Sequence, residues 1–226
     1  MPIRTVHVAL TAVAIVAALA IGQAFPLAPP GPETTSAGTG RTPIDLTHPF
    51  NQETVHWPTA PQEFELKPDF VGETEGGFYY AAYWFCGAEH GGTHMDAPKH
   101  MARGQPAVDA VPLEQLRGPA AVVDVSEQAL ANRDYQVTIG DLRAWEEQHG
   151  RIPEQAILAI RTGYGRYYPD REAYMGTDAR GQQALSDLHF PGLHPDAARW
   201  LRENRAITAV GIDTNSRGLC TRLRPS

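Results

Sequence analysis

Apolar and polar positions divide this chain into stretches of different character. Residues 8–21 form an apolar run of 14 residues, preceded by Arg4 and His7 with no acid. As a helix this run spans about 21 Å, short of the ~30 Å hydrocarbon core of a bilayer. Gly22 and Ala24 then supply small residues at the −3 and −1 positions of a cleavage site. The pattern predicts a secretory signal peptide over 1–24, with an uncleaved membrane anchor as the alternative. Residues 25–42 are rich in Pro, Gly and Thr and read as a linker. From residue 43 the periodicity changes. The short apolar segment 44–46 predicts an edge strand. Residues 77–86 (GFYYAAYWFC) carry aromatics at both odd and even positions, which predicts a strand covered on both faces. Three more buried strands are expected at 119–125, at 156–160 before Arg161-Thr162-Gly163, and at 206–212 before Asp213. Two helices are marked by their ends. Thr138 stands at capping-box spacing from Asp141, Leu142 and Trp145 share a face, and Gly150 closes the segment. Pro195 suits a first helical turn and is followed by an apolar face of Ala197, Ala198 and Leu201. Helices between β-branched strands predict a mixed α/β domain over 43–216.

Composition narrows the reading. The 226 residues suit one domain with appendages. With 19 Lys+Arg against 26 Asp+Glu the net charge is −7, which argues against nucleic acid as the main partner. The 21 Gly and 19 Pro argue against a long bundle or coiled coil. Cys86 and Cys220 alone exclude a disulfide-stapled scaffold and leave one bridge open. The signal peptide predicts a secreted or periplasmic protein with no stable membrane span after cleavage, in a compartment that tolerates disulfides.

The candidate chemistry is concentrated in one segment. His90, His94, Asp96 and His100 follow the pattern His-x3-His-x-Asp-x3-His. Neutral imidazole and carboxylate together suit Zn²⁺ or Mn²⁺. Gly91-Gly92 disfavours a helix and lets the backbone turn tightly towards an ion. His94 and Asp96, two apart, point to the same side of an extended stretch. Pro98 fixes the chain direction before His100. Solvated surface histidines would be scattered, whereas these crowd into eleven residues. No His-Glu-x-x-His, Gly-rich phosphate loop or Gly-x-Ser-x-Gly elbow is present. Cys86 reads as a packed core thiol rather than a ligand. His189 and His194 read as surface or capping residues, with a place beside the metal site or substrate as the alternative.

The segment resembles the signature His-x-Gly-Thr-His-x-Asp-x-Pro-x-His of the cyclase family of metal-dependent hydrolases, which includes kynurenine formamidases and isatin hydrolases. His90, Gly92, Thr93, His94, Asp96, Pro98 and His100 match every fixed position. Weaker family-like pieces follow in order: Asp45-Leu46-Thr47-His48-Pro49, Arg161-Thr162-Gly163, Phe190-Pro191-Gly192 and Gly211-Ile212-Asp213-Thr214. The resemblance implies a swivelling β/β/α-type fold with a mixed-sheet or barrel-like core and flanking helices, assembled as a homo-oligomer. It implies His90, His94 and Asp96 as metal ligands, Asp96 as able to bridge two ions, and His100 as the catalytic acid/base. The implied reaction is hydrolysis of a small aromatic amide, an isatin-like lactam or an N-formyl aryl amide, by metal-activated water. Trp57, in a family-like Val55-His56-Trp57-Pro58 stretch, either lines an aromatic substrate pocket or packs in the core.

The resemblance ends near Ser216. A later His and Glu that complete the family's metal site have no counterpart, and residues 217–226 form a basic tail with three Arg and no acid. This predicts a chain cut short, by a frameshift or as a natural short variant, with weakened metal affinity and activity. A fold-retaining, non-catalytic remnant is the alternative.

Overall fold

The computed structural model describes residues 42–215. The expected signal peptide, the linker up to residue 41 and the basic tail lie outside the described residues, as does Cys220. Glu65–Glu73 (β1) and Tyr79–Cys86 (β2) form an antiparallel hairpin. Its turn is closed by Thr74, whose amide donates to the Phe78 carbonyl, and by Gly77 at φ +76°. Pro68 has no N–H for the ladder and sits beside a register shift, where a strand tolerates proline. Ala120–Asp124 (β3), Ile157–Arg161 (β5) and Ala209–Ile212 (β7) build a parallel sheet in the order β3-β5-β7. A two-residue parallel pair, Gln136–Val137 (β4) and Gly192–Leu193 (β6), lies outside that sheet. Ser126–Ala131 (α1), Ile139–His149 (α2), Arg171–Met175 (α3) and Pro195–Asn204 (α4) are the described α-helices.

Both marked helices form where their caps place them. Thr138 and Asp141 make the reciprocal capping box of α2, and Gly150 follows the last turn. Pro195 occupies the first turn of α4, and the His194 side chain accepts from the Asp196 amide as the cap. Leu142 on α2 and Ala197 and Leu201 on α4 pack against Ala121, Val123, Leu158 and Ile160 of the parallel sheet. A second apolar cluster gathers Val55, Tyr164, Met175, Leu188 and Phe190.

The parallel sheet is buried on one face only. Ala121 and Val123 are buried, but Val122 on the opposite face is 51% exposed, so the expected buried strand is covered on one face only. The hairpin departs further. Phe85 is 75% exposed and, on the opposite face, Tyr80 is 50% exposed, so β2 has neither face covered by the described chain. Cys86, expected in the core, is exposed because it ends that hairpin. Residues 44–46 form no strand, and Ile44 and Leu46 stand in solvent. A segment this short gains strand geometry only from a paired neighbour. The architecture is mixed α/β as expected, but the described sheets do not close into a barrel.

Candidate metal centre

The histidine-rich segment leaves β2 as an irregular loop and ends in a single 3-10 turn, Pro98–His100. Backbone bonds hold the loop to the chain before β1. The Trp57 amide donates to the His90 carbonyl at 3.2 Å, and the Gly92 amide donates to the Val55 carbonyl at 3.0 Å. Between them, His56 and Gly91 form an isolated antiparallel bridge. Gly92 lies at φ +57°, a left-handed conformation that favours glycine, so the signature's glycine redirects the backbone two residues before His94. The His48 amide donates to the Thr93 hydroxyl at 3.0 Å, and the His48 ring stacks on Tyr168 at 4.1 Å.

The three imidazoles of the motif gather around one carboxylate, that of Asp96. His90 Nδ1 lies 2.9 Å from Asp96 Oδ1, and His94 Nε2 lies 3.4 Å from the same oxygen. The His90 and His100 rings are 3.9 Å apart. One ligand atom each from His90, Asp96 and His100 falls within 4.8 Å of the others. His94 is outside that group of three and meets it through Asp96. Its Nδ1 donates to the Gly92 carbonyl at 3.0 Å, so its Nε2 is the nitrogen free to act as a ligand. In the neutral ring that nitrogen carries a lone pair facing a carboxylate oxygen. Two acceptors in such a position repel, and a divalent cation between them removes the conflict. The donor set therefore fits a borderline cation such as Zn²⁺ or Mn²⁺. The side chains of His90, His94 and Asp96 are about one-third exposed, at 33%, 30% and 34%, so a small molecule can reach them.

Other expected residues find definite places. Trp57 is half-buried at the margin of the second apolar cluster. His189 is exposed and pairs with Asp134 at 2.9 Å, while His194 caps α4, so neither belongs to the centre. The Arg-Thr-Gly and Gly-Ile-Asp-Thr segments meet at the ends of β5 and β7. Asp213 accepts from the Thr162 amide and hydroxyl, both at 2.7 Å, and from the Gly163 amide at 2.9 Å. Sequence reasoning did not reach the roles of His48, His56 and Tyr168, which support the loop from distant positions. The clue within reach was the family-like stretch around Trp57, which contains His56.

A family model named Cyclase matches residues 44–217. The chain belongs to the Cyclase family. Among curated members, it is 28% identical to isatin hydrolase of Roseibium aggregatum over 174 residues, 68% of this chain and 64% of that protein. It is 52% identical to kynurenine formamidase of Salinibacter ruber over 115 residues, 46% of this chain and 54% of that protein. The chain thus spans less than two thirds of the length of these relatives. Solved Cyclase-family folds agree. Isatin hydrolase A from Labrenzia aggregata, bound to benzyl benzoate, superposes with a TM-score of 0.66 at 30% identity, covering 77% of this chain and 68% of that one. Isatin hydrolase A from Ralstonia solanacearum gives 0.65 at 29% identity, covering 77% and 67%. The mixed α/β fold is that of these hydrolases.

Proposed function

We propose that this chain is a metal-dependent hydrolase of small aromatic amides, either an isatin-like lactam or an N-formyl aryl amide. The observation that carries the reading is the convergence of His90, Asp96 and His100 ligand atoms within 4.8 Å, with His94 turned onto the same carboxylate. The names of the similar proteins supply the substrate class. His90, His94 and Asp96 would hold Zn²⁺ or Mn²⁺. A divalent ion at such a site supplies Lewis acidity, polarising a carbonyl and activating water. His100, exposed and beside the His90 ring, carries a proton to the leaving nitrogen as the C–N bond breaks. Trp57, tied to His90 through its amide, offers a flat apolar wall for an aryl ring.

The protein works as a homo-oligomer in this reading, because the β1–β2 hairpin carries aromatic side chains that the described chain leaves open. It is exported, on the strength of the charged start, apolar run and small-residue site in residues 1–24. Metal content of the purified full chain, measured beside hydrolysis of isatin and N-formylkynurenine, tests the central claim. Weakly bound metal with low, chelator-sensitive turnover is expected. Turnover that survives complete metal removal would sink it, and metal binding without hydrolysis of either compound would mark a non-catalytic remnant.

A further inference from the structure

The signature leaves the position between His90 and Gly92 open, yet this chain places glycine there. Gly91 is not in a left-handed conformation, unlike its neighbour Gly92, so its backbone does not demand glycine. Space does. A β-carbon on Gly91 would meet three atoms of His56 first, with Nε2 at 2.6 Å and Cγ at 2.8 Å. His56 has nowhere to retreat. Its side chain is fully buried, its Nδ1 donates to the Thr54 carbonyl at 2.9 Å, and Phe50 abuts its face edge-on at 5.9 Å between centroids. Its Nε2 is buried with no hydrogen-bond partner among the described residues. The ring is therefore held by shape and by one bond, and it fills the notch that Gly91 leaves.

We propose that His56 is a positioning residue for the metal-ligand loop, its buried ring forming the seat on which Gly91 rests so that His90 and His94 reach Asp96. The proposal rests on the metal-hydrolase reading for its consequence, but the matched pair is a property of this chain's own packing. Carbon atoms rest about 3.5–4.0 Å apart, so an added methyl at Gly91 forces the loop outward by roughly 1 Å. Metal sites tolerate only about 0.2 Å of distance error. His90 adjoins the displaced residue directly, and the bridge from Gly92 to Val55 must stretch with it.

The test uses the full chain and three variants, G91A, H56A and the double variant. Metal affinity is read by competition with a chromophoric chelator, for Zn²⁺ and for Mn²⁺. Exchange of the Trp57 and Gly92 amides is read by NMR without metal. G91A is expected to weaken metal binding by about tenfold or more, within the range typical of lost ligand support, and to speed exchange at both amides. The double variant is expected to recover affinity to within about threefold of the parent and to restore protection, although its melting temperature falls because a cavity remains. A G91A protein with unchanged affinity and exchange overturns the proposal, as does a double variant no better than G91A. If G91A does not fold, a folded double variant with protected amides supports the pairing, and an unfolded one overturns it. A parent chain that binds no metal sinks the hydrolase reading, while amide exchange still decides the pairing.

Discussion

Asp96 is the point on which the candidate site turns, because two imidazole nitrogens approach one of its oxygens. Asp96→Asn keeps the shape and removes the charge. It is expected to reduce metal affinity by more than the 10–100-fold typical of outer-shell changes, measured by titration with Zn²⁺. His100→Ala separates two roles. If His100 carries the proton, the variant keeps its metal stoichiometry and loses roughly 10²–10⁴-fold in kcat; loss of the metal itself would make it a ligand instead. The motif was legible because its residues lie within eleven positions and keep their spacing in the fold. The His56–Gly91 contact was not, because its partners lie 35 positions apart and neither residue type announces the other.

At the scale of elements, one charged contact joins the end of α4 to α2. Arg205 donates to Glu146 through Nε at 2.6 Å and Nη2 at 2.5 Å, and the Ile152 amide donates to the same carboxylate at 2.9 Å. The Arg205 hydrogen bonds hold the Glu146 carboxyl below the usual carboxylate range. Its contribution is thus complete above the unfolded value, near pH 4.3, and fades as the pH falls through the lowered folded value. Glu146→Gln is expected to cost about 2 kcal/mol at neutral pH, and the gap to the parent should narrow progressively in acid. Urea titrations at several pH values check this, and a gap independent of pH would refute it. The capping box offers a simpler test: Thr138→Ala is expected to cost about 1 kcal/mol in the same measurement. Helices α2 and α4 were readable because capping is local chemistry, written in residues three or four apart. Strand β1 was not, because Lys67-Pro68-Asp69 interrupts any apolar alternation. Helices α1 and α3, of six and five residues, are too short to show a period.

At the scale of the molecule, aromatics at both parities of β2 foretold cover on both faces, and the described chain provides neither. What the pattern recorded was a demand for burial, without saying which chain would meet it. Tyr79 and Phe85 share one face of the strand and are well exposed, so replacing both with Glu leaves the described core untouched. Light scattering after size exclusion is expected to show an oligomer for the parent and a smaller species for Y79E/F85E. Equal masses would place any interface elsewhere. The same β-structure limits what a reader of one sequence can see, since pairing partners lie far apart along the chain.

The hold of Asp213 on Thr162 and Gly163 has a consequence in time. Strand β7, which Asp213 follows, is the last of the three to leave the ribosome, yet it must pair with β5 at the centre of the sheet. Until it emerges, Thr162 and Gly163 have no carboxylate to close their turn. The loop bearing the histidines is synthesised more than 100 residues before that closure. A nascent chain therefore displays its histidine-bearing loop well before β7 can join the parallel sheet, and that sheet consolidates only after β7 has emerged.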